Sequence, residues 1–169
     1  DYAYYEIDAS LESQNPVKTG NVLNFDITLN ERQTNSAFEF VGYIQISVTD
    51  TYTFHVDSNN TARVIIGEQT VVTHSGDGGE PSEGILALRG GSYPLRVDYA
   101  HANQPMPNLI VSWESPNWAR QPLPNSVLFR DDPAAAPTPT VQPTPTATPT
   151  LADVPSNGGT TTFLPTSTP

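Results

Sequence analysis

The chain contains no cysteine, so it has neither a disulfide framework nor a thiolate metal site. That absence leaves secretion open. Basic residues are scarce: seven Lys and Arg stand against eighteen Asp and Glu, for a net charge of −11. Binding to phosphate needs clustered Lys and Arg. Seven scattered bases make no such patch, which argues against nucleic acid and anionic lipid as partners. No apolar run approaches the ~20 residues of a membrane helix. The chain opens at Asp1 with no initiator Met and no signal-peptide pattern, as a trimmed mature chain or an excised piece would.

Catalytic signatures are also missing. No Ser lies in a nucleophile-elbow pattern, and the glycine-rich stretch at 76–84 is acidic and carries no lysine to cradle a phosphate. Glycosidase chemistry needs two facing carboxylates, but an acidic chain offers such pairs everywhere, so their presence decides nothing. His55, His74 and His101 are far apart and lack the spacing of zinc motifs. They read as surface and strand-end residues. The sequence therefore points away from an enzyme.

What is present divides near residue 131. Residues 1–131 hold 16 acids and 7 bases, and residues 132–169 add only Asp132 and Asp153, so the charge belongs to the first part. There, apolar residues alternate with polar ones. Tyr52, Phe54 and Val56 share one face of their run, as do Ile44, Ile46 and Val48, then Tyr93, Leu95, Val97 and Tyr99, then Leu109, Val111 and Trp113. Period 2 is the mark of half-buried strands. Turn clusters such as "NPVKTGN", "DSNN", "RGGS" and "ANQPMPN" separate them. About ten short strands at this spacing predict an all-β, antiparallel two-sheet β-sandwich over 1–131.

The stretches "NVLNFDITL", "GYIQISVTDTYTFHVDSNNTARVIIGEQTVV", "GILALRGGSYPLRVDY", "LIVSWESP" and "LPNSVLF" follow one another in a familiar order. Over residues 2–130 they resemble the PA-fourteen family, named for the N-terminal part of protective antigen. The resemblance implies a β-sandwich common on cell surfaces and often carbohydrate-binding. In adhesin members, adjacent Asp residues in the loop after the aromatic strand hold calcium, and the calcium holds sugar hydroxyls. The matching stretch here is Asp57-Ser58-Asn59-Asn60, with Asn59 and Asn60 where the acidic pair commonly stands. Calcium favours several hard oxygens with negative charge. The swap keeps oxygens and loses charge. Asp57 remains as a metal candidate, with Asp77 or Glu80 approaching from another loop. The other reading of the same four residues is a tight turn, since Asn and Asp tolerate left-handed backbone and cap turns with their side chains.

Two more features bear on sugar. Asn59-Asn60-Thr61 is an N-glycosylation sequon. Trp118 lies in a loop, where a ring stacks on a sugar or packs over the sandwich end. Trp113 alternates with Val111 and reads as core. Carbohydrate or calcium candidates are thus Asp57, Asn59, Asn60, Asp77 and Trp118.

Residues 132–169 hold 9 of the 17 prolines, which rules out helix and central strand there. Polyproline II is the expected local state. Thr138, Thr140, Thr144, Thr146, Thr148 and Thr150 invite O-glycosylation. A short strand is expected over 160–165, where Thr160, Thr161, Thr162, Phe163 and Leu164 form an apolar-tipped arm end. In polyproline II the arm spans roughly 115 Å, against about 35–40 Å for the domain. It has the reach to add a strand to a neighbouring copy, and head-to-tail contacts of that kind propagate as filaments. The sequence thus puts first a non-enzymatic extracellular subunit of a surface fibre or lattice, assembled from copies of itself and carrying covalent glycans. The alternative is a carbohydrate-binding module, adhesin-like or glycosidase-associated, on a stalk linker, with cell-surface carbohydrate as its partner.

Overall fold

The alternating runs become strands wherever their apolar residues have a second sheet to face. The structure, a computed structural model, describes residues 1–6, 15–32, 34–76, 80–102 and 107–133. Among these lie eleven strands: β1 (Tyr2–Glu6), β2 (Lys18–Gly20), β3 (Ser36–Ile46), β4 (Asp50–Ser58), β5 (Thr61–Ile66), β6 (Gln69–Ser75), β7 (Ser82–Leu88), β8 (Gly91–His101), β9 (Leu109–Ser115), β10 (Trp118–Pro122) and β11 (Leu128–Phe129). The arm from 134 onward, with its threonines and the 160–165 strand, lies outside the described residues, as does Asp77.

The strands form an antiparallel two-sheet sandwich. The larger sheet has the order β2-β1-β3-β8-β5-β6, and β11 also pairs with β3. The smaller has the order β10-β9-β4-β7. β3 and β8 run the whole depth of the larger sheet, from Ser36 opposite His101 to Ile46 opposite Gly91. β1 and β11 share the other edge of β3: Tyr2 stands opposite Phe40, and Leu128 opposite Ile44.

Period 2 decides what is buried. Phe38, Phe40, Ile44, Ile46, Val64, Val97 and Tyr99 face inward from the larger sheet, and Tyr52, Phe54, Val56, Val111 and Trp113 meet them from the smaller. Tyr52 stacks on Trp113 at 5.4 Å between ring centroids. Burying each such side chain contributes about 1.5–3 kcal/mol. Val48, read in phase with Ile46, is 50% exposed because β3 ends at Ile46.

At one side the two sheets touch. A Cβ on Gly84 of β7 would collide with the Val71 carbonyl oxygen of β6, so only glycine permits that approach. His74 ties the same two strands together, its Nδ1 lying 3.0 Å from the Ser82 hydroxyl. The expectation of surface histidines is corrected here: His55, His74 and His101 are 6%, 1% and 2% exposed. Hydrogen bonds to neighbouring strands and loops make burial of His74 and His101 affordable.

Candidate functional site

The turn joining β4 to β5 is the "DSNN" stretch. Asp57 is on the outward-facing set of β4, opposite Ile110 of β9. Ser58 and Asn60 turn inward, at 3% and 2% exposure. A short polar residue suits this place because it can bond its own backbone: the Asn60 N–H donates to Ser58 Oγ at 3.1 Å.

The turn is tied to the end of the β8–β9 connection. The Asn59 N–H donates to Asn108 Oδ1 at 2.6 Å, and the Asn108 N–H donates back to Asn59 Oδ1 at 3.2 Å. Ser58 Oγ donates to the Asn108 carbonyl at 2.8 Å. Asn60 is engaged at both ends of its amide. Its Nδ2 donates to Asn59 Oδ1 at 2.7 Å and to the Tyr99 hydroxyl at 3.1 Å, and its Oδ1 accepts from the Ala102 N–H at 3.3 Å. Burial pushes the Tyr99 phenol up to about 12, against the opposing pull of the Asn60 hydrogen bond.

His74 supports the turn from behind. Its Nε2 lies 2.6 Å from the Ser58 carbonyl. A carbonyl only accepts, so Nε2 carries the proton and Nδ1 is left to accept from Ser82. Gly76 follows with φ +75°, and a Cβ there would run into the Asn60–Thr61 peptide. The loop is thus tied to the β8–β9 connection and to His74 of β6.

This geometry sorts the expected residues. Both Asn oxygens that replace the family's acidic pair point at N–H donors of the protein. A cation at that position would have to displace those donors. Asp57 keeps a half-buried carboxylate with no hydrogen bond or ion pair among the described residues. Glu80 is exposed. No group of three or more His, Cys, Asp or Glu able to hold a metal occurs among the described residues. In the sequon, Thr61 Oγ1 donates to the Ser75 carbonyl at 3.1 Å, and Asn59 has the partners named above. Trp118 is the first residue of β10. Its ring packs on Tyr52 and Trp113 at 5.6 and 5.8 Å, so it caps the sandwich end.

Sequence reading missed Asn108, Tyr99 and Ala102 as partners of the loop. The "ANQPMPN" stretch registers only as a turn cluster. The pairing of its last Asn with Asn59, 49 residues away, leaves no local trace.

A family model for the PA14 domain matches residues 1–126. The chain belongs to the PA14 domain family. Among curated proteins it is similar to the anti-sigma-I factor RsgI3 of Acetivibrio thermocellus, 26% identical over 137 residues, which cover 76% of this chain and 21% of that protein. Among solved structures it is similar to an anti-sigma factor domain-containing protein from Clostridium clariflavum, with a TM-score of 0.62 at 19% identity, covering 76% of this chain and 46% of that one. It is also similar in fold to the epithelial adhesin 6 A domain of Candida glabrata, solved with Galβ1-3GlcNAc, at a TM-score of 0.50 and 14% identity, covering 59% and 53% of the two chains. The PA14 chain thus spans about a fifth of the curated relative and just under half of the solved anti-sigma chain. No helix among the described residues is long and apolar enough to cross a membrane.

Proposed function

We propose that this PA14 domain is a non-catalytic, extracellular carbohydrate-binding module carried on a Pro/Thr-rich stalk, and that it binds sugar without calcium. The observation that carries the reading is the 57–60 loop. Its backbone is held by reciprocal hydrogen bonds to Asn108 and by Asn60, while the Asp57 carboxylate stays half exposed and without a partner. A pre-organised polar group on a rigid loop is what sugar recognition needs, because little ordering entropy is lost on binding.

Support also comes from the PA14 neighbours that were solved with sugars bound. The fibre-subunit reading rests on residues 134–169 alone, and no described contact supports it. The amide network supports calcium independence, since it already supplies the donors that a bound cation would have to replace.

The test is a glycan panel probed with the full chain in EDTA and again in millimolar calcium. Binding that is equal in both conditions and lost on Asp57→Ala, with the fold intact by circular dichroism, is the expected result. Binding that appears only with calcium refutes calcium independence. Silence on every glycan refutes the module reading.

A further inference from the structure

Away from this loop, two strands share one edge of β3 and stop short of each other. β1 reaches Tyr2 opposite Phe40, and β11 ends at Phe129 opposite Tyr43. The Val41 N–H donates to the Asp1 carbonyl at 3.0 Å, so the break falls at Gly42. A Cβ on Gly42 would meet the Phe129 carbonyl oxygen at 2.6 Å, so only glycine lets β11 come this close.

The break opens an apolar hollow of about 280 Å³, lined by Phe25, Phe40, Leu95 and Leu128. Two more hollows adjoin it, one beside Thr19 and Tyr2, the other beside Tyr43 and Pro94, and all three share Asp1, Val41 and Arg130. In sheet order they run from β2 across β1 and β3 to β8, as one trough with aromatic walls. Leu23, Val41 and Phe129 are 80%, 43% and 39% exposed along it. Bare apolar side chains gathered in one place mark an interaction site.

The polar groups say what kind of chain fits. Arg130 pairs through Nε with Asp1 Oδ1 at 3.0 Å, and its Nη groups have no partner among the described residues. Asn125 Oδ1 accepts from Asn24 at 2.9 Å, which leaves the Asn125 NH2 as an unused donor among the described residues. The trough thus has N–H donors to spare. An extended proline-rich segment offers carbonyl acceptors, lacks N–H at every proline, and suits aromatic grooves. Charge narrows the choice. The charged residues lining the three hollows are Asp1, Glu39, Arg96 and Arg130, which balance. Residues 137–150 of this chain hold five prolines and no charged residue. Such a segment escapes the repulsion that keeps two acidic sandwiches apart.

We propose that the trough holds the proline-rich segment 137–150 of a second copy of this chain, with its prolines against the aromatic walls and its carbonyls accepting from Arg130 and Asn125. The contact is independent of sugar binding at the 57–60 loop.

The experiment is sedimentation velocity of the full chain over a wide range of concentration, with and without excess synthetic peptide of residues 137–150. Association should rise with concentration, persist at high salt, and be reversed by the peptide. The same peptide with alanine in place of every proline should not reverse it. Leu23→Asp, and separately Val41→Asp, should weaken association about tenfold or more with the melting curve retained, as expected for the loss of one buried apolar side chain. A monomer at every concentration overturns the proposal, and so does association unchanged in both variants. Equal competition by the alanine peptide overturns the proline-rich fit. Reversal only by a peptide of residues 159–166 overturns it in favour of strand addition by the tail. Reversal by a neutral oligosaccharide and not by the 137–150 peptide overturns it in favour of a sugar site.

Discussion

Replacing Asn60 with aspartate changes the chemistry of the loop and leaves its volume alone. Asn60 is 2% exposed, and its amide donates to Asn59 Oδ1 at 2.7 Å and to the Tyr99 hydroxyl at 3.1 Å. A carboxylate has no proton to give. In Asn60→Asp one oxygen would face another at that first distance, and the Tyr99 hydroxyl would have to reverse to donate. A buried acceptor pair left unsatisfied costs about 1–3 kcal/mol, and an uncompensated buried charge about 3–5 kcal/mol. The variant should therefore lose about 3–5 kcal/mol. For a domain of this size that lowers Tm by about 10–20 °C. The charged form is the disfavoured one, so its folded-state pKa lies above the usual carboxylate range. The penalty is then absent below about pH 4 and grows as pH rises. Thermal melts in EDTA at pH 4 and pH 7 measure both. Adding Asn59→Asp restores the family's acidic pair, and this double variant should regain stability when calcium is supplied. A single variant within 1 kcal/mol of the parent at pH 7 would refute the view that the Asn60 amide locks the loop.

Two further outcomes follow from the core and its tyrosine. The phenol of Tyr99 is raised to about 12 while an exposed tyrosine ionises near 10, so its contribution of about 3 kcal/mol is present below pH 10 and is lost as pH rises toward 12; absorbance titration at 295 nm should show its ionisation only together with alkaline unfolding. Phe54→Ala removes a ring with 0% exposure between the sheets, and urea denaturation should show a loss of about 3–5 kcal/mol.

Much of the fold is legible in single runs of residues, because each strand carries its own period. Tyr52, Phe54 and Val56 declare their face without help from any other part of the chain, and the order of such runs carries the family resemblance. The site is less legible. "DSNN" marks a turn, and Asp57 is recognisable in it, but the amide lock depends on Asn108 and Tyr99, which folding brings from 49 and 39 residues away. His55 shows the opposite limit. Alternation correctly assigns it to the polar face, and polarity there suggests exposure. It is buried because Glu83 and Glu114 stand on the neighbouring strands, and register is not written in the local pattern. Trp118 follows the same logic: a loop-like context hides a ring that closes against Tyr52 and Trp113.

The central claim is calcium-independent sugar binding at the 57–60 loop. It is tested most directly by following backbone amide resonances of the full chain while a bound glycan is titrated in EDTA. The account predicts saturable shifts centred on Asp57, Asn59, Asn60 and Asn108. Shifts that arise only after calcium is added, or none at these residues with a glycan that binds, would contradict it.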